Sequence, residues 1–226
     1  NHFYTHNILY NYRYCVSINQ RRIRSCLVLN INSLYIVKRQ VKENEDSSNN
    51  IIFSVVICTR NSSSRIQETL ESIHCQSLNQ SNYEVLVIDN ASDDDTYPWL
   101  KSNAGRYSYR LLQEHEIGLS AARNKGINEA QGEYIFFTDD DAVAPAHLLA
   151  TLAEDIKLDH PDVLGGPVHG LWDHTPPSWL HSGYWRSLSL LSWGDKKRFL
   201  AYPEILIGCN VAIKKKLFDQ YGFFDH

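Results

Sequence analysis

A single α/β domain, built on a mostly parallel sheet with helices on both faces, is the fold this sequence predicts. Three observations predict it. A continuous apolar strand pattern begins at residue 51, strand and helix patterns alternate after it, and polar clusters stand at the carboxyl ends of the strands.

The elements follow in order. Ile51-Ile52-Phe53-Ser54-Val55-Val56-Ile57 is a largely β-branched run, the pattern of a strand buried on both faces. Ser62, Ser63 and Ser64, with Gln67 three residues after Ser64, offer side-chain N-caps to a helix. Its residues Ile66, Leu70 and Ile73 share one face. Tyr83 to Ile88 reads as a second strand ending at Asp89-Asn90, and Arg110-Leu111-Leu112 as a third, shorter one. A helix from about Leu119 to Ala130 is expected to end with Gly132 at its C′ position. Tyr134 to Phe137 is the fourth strand and runs into Thr138-Asp139-Asp140-Asp141; a helix carrying Leu148, Leu149, Leu152 and Ile156 follows.

Residues 161–203 hold five of the seven prolines and four of the five tryptophans, and predict an irregular wall over the sheet. Residues 1–50 contain no Gly or Pro and show no sustained period. Together with the polar run Lys42 to Asn50 they read as a poorly ordered appendage and linker ahead of a domain at 51–226.

The formal charge of −4 is unevenly distributed. Residues 1–50 carry 7 Lys/Arg against 3 Asp/Glu, whereas residues 51–226 carry 15 against 23. An acidic body argues against nucleic acid as the main partner, because phosphate backbones need a basic face. It is compatible with a phosphate ligand held through a hard divalent cation, whose usual ligands are carboxylates. The cysteines at 15, 26, 58, 75 and 209 form no C-x-x-C pair, a usage that suits reduced thiols in a cytoplasmic protein, at most at the inner face of a membrane. No apolar run approaches the roughly 20 residues of a membrane span, so no transmembrane segment is expected in this chain. The absence of Met, and the stop at Gly222-Phe223-Phe224-Asp225-His226 after an apolar stretch, read as fragment boundaries.

In open parallel sheets ligands bind outside the carboxyl ends of the strands. Thr59-Arg60-Asn61, Asp89-Asn90 and Asp139-Asp140-Asp141 all fall there. An acidic triplet on a surface turn is commonly a solvated helix cap. At the end of a buried strand its members instead raise one another's pKa, a penalty that a divalent cation removes while bridging diphosphate oxygens. Asp89 is placed to accept from a nucleobase N–H or ribose hydroxyls, or to make a strand-terminal Asx turn. Arg123 lies on Gly118-Leu119-Ser120-Ala121-Ala122-Arg123-Asn124-Lys125-Gly126, where small residues at 120–122 let a helix approach the sheet closely. From there its planar fork suits either a phosphate or the acidic turn.

Strand-Thr-Arg-Asn, strand-Asp-Asn-Ala-Ser, Gly-Leu-Ser-Ala-Ala-Arg-Asn-x-Gly and strand-Thr-Asp-Asp-Asp, in this order, resemble glycosyltransferase family 2 over about residues 52–225. The resemblance implies a GT-A-type, Rossmann-like fold and a hexosyltransferase of polysaccharide-building type. Such an enzyme transfers a sugar from a nucleoside-diphosphate sugar to a glycan, lipid-linked or other hydroxyl acceptor, using Mg²⁺ or Mn²⁺. It also implies site roles. Thr59, Arg60, Asn61, Asp89, Asn90, Arg123, Asp139 and Asp140 would bind the nucleotide sugar. Asp139 and Asp141 would bind the metal as a DxD-type motif, and Gly208, Cys209 and Asn210 would form an acceptor-side loop before the Gly222-Phe223-Phe224-Asp225 stretch. The family's general base is expected in an acidic motif after His226; Asp173, Asp195 and Glu204 are weaker candidates. A chain without that base would bind nucleotide sugars but transfer them poorly, the alternative reading. A nucleotidyltransferase fits less well, since Cys58-Thr59-Arg60-Asn61-Ser62 is not a Gly-rich phosphate loop, and a dehydrogenase would need G-x-G-x-x-G.

Overall fold

A computed structural model describes residues 25–29, 35–37, 51–172, 175–201 and 204–225. In chain order its strands and α-helices are β1 (Ser25–Leu29), β2 (Tyr35–Val37), β3 (Phe53–Thr59), α1 (Ile66–His74), β4 (Tyr83–Asn90), α2 (Thr96–Tyr107), β5 (Arg110–Glu114) and α3 (Leu119–Glu129). There follow β6 (Tyr134–Asp139), β7 (Ala142–Val143), α4 (Leu148–Asp159), β8 (Val163–Gly165), β9 (Val168–Trp172), β10 (Arg198–Phe199), β11 (Val211–Lys214) and α5 (Lys216–Tyr221).

The main sheet has eight strands in the order β10-β2-β8-β11-β6-β3-β4-β5. Its β6-β3-β4-β5 half is parallel throughout. Strand β11 runs antiparallel beside β6, so its first residue, Val211, lies near the carboxyl end of β6. Two apolar layers cover the two faces, as expected. On one face Val55, Ile57, Val85, Val87 and Phe136 pack against Ile66, Leu70 and Ile73 of α1, Leu100 of α2, and Leu148, Leu152 and Ile156 of α4. On the other, Val56, Leu86, Ile88, Ile135 and Phe137 meet Ala122 and Ile127 of α3 and Phe218 of α5. Alternate residues of each strand serve opposite layers because successive side chains point to opposite sides of a sheet.

Four details depart from the sequence reading. The serines before α1 make no side-chain cap; Arg65 takes the N-cap position, and the carbonyl of Ser62 accepts from the amides of Arg65 and Ile66. Gly132 is not a left-handed terminator of α3. A Cβ there would meet the backbone of Phe53 at 2.5 Å, so this glycine is selected by close approach of two chain segments. Helix α2 was hidden from a periodicity reading because it buries only Thr96, Leu100 and Tyr107 and contains Pro98 and Gly105. Finally, two segments within 1–50 are strands of the folded body. β1 lies between β7 and β9 in a small three-stranded sheet, and β2 lies between β10 and β8 in the main one. These runs of five and three residues are too short to carry a legible alternation, and their pairing comes from distant partners.

Candidate functional site

Parallel pairing in register sets three strand ends side by side. Thr59 stands opposite Asp89 across β3 and β4, and Cys58 stands opposite Asp139 across β3 and β6. Beyond these ends the chain turns through Arg60-Asn61, Asn90-Ala91 and Asp140-Asp141. The clusters singled out by the sequence therefore share one edge of the sheet.

Their side chains divide into those engaged by the protein and those left free. Thr59 is buried, and its hydroxyl donates to Asp140 Oδ2 at 2.6 Å, joining the end of β3 to the acidic turn. Arg60 is exposed beside it. Asn61 adopts a left-handed φ of 54° and exchanges hydrogen bonds with Asp93. Its Nδ2 donates to the carboxylate at 2.5 Å, and its Oδ1 accepts from the Asp93 amide at 3.0 Å. Its own amide donates to Ser92 Oγ, while Ser63 Oγ donates to Asp94 and the Ser62 amide donates to Thr96 Oγ1. The β3–α1 and β4–α2 loops are thereby laced together. Asn90 is equally committed: Nδ2 donates to the carbonyls of Glu114 and Glu116, and Oδ1 accepts from the Gly118 amide at 2.9 Å. It fixes the loop that starts α3.

Asp89 differs from both. Its side chain is 1% exposed, and Oδ1 has no hydrogen-bond partner among the described residues. A buried carboxylate oxygen without a partner is costly and calls for an explanation.

The acidic turn carries charge that nearby arginines offset only in part. Asp139 is pushed up to about 6 by burial and by the charge of Asp141, with Asp140 adding to the effect and Arg123 opposing it. Burial and Asp140 raise Asp141 as well, while Arg65 opposes. Arg123 Nη2 reaches Asp139 Oδ1 only at 3.9 Å. Helix α3 brings this arginine in because Ala121, Ala122 and Gly126 are buried against the sheet. The Cys58 thiol, beside the same turn, is pushed up to about 12, chiefly by burial.

The 208–210 loop precedes β11, whose Val211 pairs with Phe137 of β6, so it lies along the acidic turn. A Cβ on Gly208 would stand 2.9 Å from Arg123 Nη2. Cys209 is buried, and its thiol is raised by burial and by the charges of Asp139 and Asp141. Asn210 is fully buried, with Nδ2 donating to the Pro167 carbonyl. Asp195 is exposed, Glu204 accepts from Arg198 and the Ala201 amide, and Asp173 lies outside the described residues. Sequence reasoning missed the surroundings of Arg123: Phe137 and Phe224 flank it, and Asn124 holds Phe224. The Arg-Asn pair and the Gly-Phe-Phe-Asp stretch were each visible, but nothing local connects them.

Among the described residues no three His, Cys, Asp or Glu side chains converge in a way that would hold a metal ion, and no helix is long and apolar enough to cross a membrane. Cys58, Cys75 and Cys209 are free thiols.

Known proteins resemble this chain in family and in fold. The family model for glycosyl transferase family 2 matches residues 54–222. A cholesterol galactosyltransferase of Borreliella burgdorferi is 33% identical over 183 residues, covering 80% of this chain and 45% of that protein. The poly(ribitol-phosphate) beta-N-acetylglucosaminyltransferase TarP of Staphylococcus aureus is 28% identical over 115 residues, 50% of this chain and 35% of that one. Among solved structures, S. aureus TarS 1-349 in complex with UDP-GlcNAc has a TM-score of 0.60 at 22% identity, covering 77% of this chain and 49% of that chain. The mannosyltransferase PcManGT from Pyrobaculum calidifontis in complex with GDP-Man and Mn²⁺ has a TM-score of 0.58 at 24% identity, covering 83% and 51%. These likenesses show the GT-A-type fold. The chain spans about half the length of the proteins it resembles, or less.

Proposed function

The chain belongs to glycosyl transferase family 2, and on that premise we propose that it transfers a hexose from a nucleoside-diphosphate sugar to a hydroxyl of a glycan or lipid-linked acceptor, with Mg²⁺ or Mn²⁺ at the acidic turn. The observation that carries this reading is the crowding of Asp139, Asp140 and Asp141 at the end of β6, only partly offset by Arg123 and Arg65, in line with the unpartnered oxygen of Asp89. Carboxylate oxygens under mutual repulsion suit a hard divalent cation. Asp139 and Asp141 would hold such an ion, and the donor's diphosphate would supply it with further oxygens. Bound there, the ion would neutralise charge on the departing diphosphate.

The residues of this chain then have distinct tasks. Asp89 accepts from the nucleoside, and Thr59 orients Asp140 toward the ribose. Asp139 and Asp141 would hold the metal, and Arg123 would offer its fork to the diphosphate. Asn61 and Asn90, whose amides are engaged by the neighbouring loops, shape the nucleoside end rather than touch it. Names of relatives support both acceptor classes: one is called a cholesterol galactosyltransferase and another acts on poly(ribitol phosphate). The solved neighbours carrying UDP-GlcNAc, or GDP-Man with Mn²⁺, support the donor class. A lipid acceptor would bring this site to the inner face of the cytoplasmic membrane.

Titration of Mn²⁺ with and without UDP or GDP tests the reading. The metal alone should bind weakly, and at least tenfold more tightly once the diphosphate completes its shell. Equal affinity in both cases would remove Asp139 and Asp141 from metal binding.

A further inference from the structure

The guanidinium of Arg123 is held in an unusual way. Its carbon lies 5.7 Å from the ring centroid of Phe137 and 5.5 Å from that of Phe224, while its nearest carboxylate contact is the long 3.9 Å one to Asp139. Phe137 is set by the sheet itself, as a buried residue of β6. Phe224 has no such support, since it follows the end of α5 and is only half-buried. Instead the side-chain amide of Asn124, next to Arg123 on α3, grips its backbone. Nδ2 donates to the Phe224 carbonyl at 2.9 Å, and Oδ1 accepts from the Phe224 amide at 3.0 Å. Phe224 also packs edge-on to Phe137, at 5.8 Å between centroids. Gly208 closes the remaining side, where any Cβ would crowd Arg123 Nη2.

We propose that Phe224, clasped by Asn124, is a positioning residue for Arg123: it forms half of an aromatic cage that aims the guanidinium at the donor's diphosphate. The inference rests on the donor reading above. Ring faces attract a guanidinium without occupying its N–H donors, whereas a close carboxylate would occupy two of them in a fork. The cage fixes the arginine and leaves its donors for phosphate oxygens. Because Asn124 and Arg123 are adjacent on one helix, the clasp and the cage move together, and the segment around residue 224 becomes part of the donor site without touching the ligand.

The experiment uses the 226-residue chain and two readouts. Calorimetry measures binding of UDP or GDP with Mn²⁺ and, separately, of the matching nucleoside. NMR follows the Arg123 Nε–Hε resonance, identified by its loss in Arg123→Lys. Phe224→Leu and Asn124→Ala should each weaken the diphosphate by about threefold to tenfold, the scale of a partly desolvated cation–π contact, and leave the nucleoside unchanged. Both should shift the Arg123 resonance as a ring current is lost, and Phe224→Tyr should restore both readouts. Gly208→Ala, which displaces the guanidinium with Phe224 intact, should reproduce the selective loss. In an Arg123→Ala background Phe224→Leu should have no further effect, since the two act as one unit. Equal losses for nucleoside and diphosphate, additivity with Arg123→Ala, or an unmoved resonance would overturn the proposal. A wild-type protein that binds neither UDP nor GDP while its Arg123 resonance still responds to Phe224→Leu would refute the donor reading and leave the cage a packing feature only.

Discussion

At the residue scale, the candidate site is built from groups whose environments cost stability. The folded protein raises Asp139 to about 6, through burial first and the charge of Asp141 next. A carboxyl raised on folding favours the protonated native state, so its effect is destabilising above that value and is relieved as pH falls through about 6 toward the ordinary carboxylate range. Asp139→Asn should therefore raise the melting temperature of the metal-free protein at pH 7.5 and raise it by clearly less at pH 4.5. A variant that melts lower at pH 7.5 in EDTA would contradict the assigned cause. Asp89 makes the same point by hydrogen bonding, since its buried Oδ1 has no partner among the described residues. Asp89→Ala should weaken UDP or GDP binding tenfold to a hundredfold, since a hydrogen bond to a charged group contributes roughly 1.5–3 kcal/mol. The melt should stay cooperative. Calorimetry showing unchanged nucleotide affinity would remove Asp89 from the site.

At the element scale, α3 is the part that joins the site together. Its N-terminus is tied to Asn90 through Gly118, its middle carries Arg123 and Asn124, and Gly126 lies against β3. A Cβ at Gly126 would stand 2.5 Å from Val56 Cγ1, an atom of a fully buried β-branched side chain that cannot swing away. Alanine would gain about 1 kcal/mol of helix propensity, but overpacking costs typically 1–3 kcal/mol, and an immovable partner puts the cost at the high end. Gly126→Ala should thus lower stability by about 1–2 kcal/mol in denaturant melts, and should weaken diphosphate binding as Arg123 shifts. Its small residues were visible in the sequence, and they fit the observed close approach. Helix α2 was not visible, because three buried positions in twelve residues make no stripe.

For the whole molecule, the two N-terminal strands set the largest expectation. Strand β1 is the middle of its three-stranded sheet, so without it β7 and β9 have no common partner. Among the described residues, strand β2 alone links β10 to the rest of the main sheet. Deleting residues 1–50 should lower the cooperative melting temperature by several degrees and leave the β6-β3-β4-β5 half folded. An unchanged melt would return these residues to the status of a dispensable appendage.

The sequence by itself determined the alternating elements, the parallel half of the sheet, and the clusters at Thr59, Asp89 and Asp139 to Asp141. Each of these is a local pattern, since burial on both faces writes an apolar run and a strand's end writes a polar break. Only the tertiary structure decided what those clusters do to one another. It joined Thr59 to Asp140 across 81 positions and Asn124 to Phe224 across 100, and it committed Asn61 and Asn90 to loops while leaving Oδ1 of Asp89 without a partner among the described residues. The physical reason is that a hydrogen-bond donor or an aromatic ring carries no record in the chain of which distant group it will meet. That pairing is set by sheet register and by the close approach of α3, both of which arise from the packing of the whole domain.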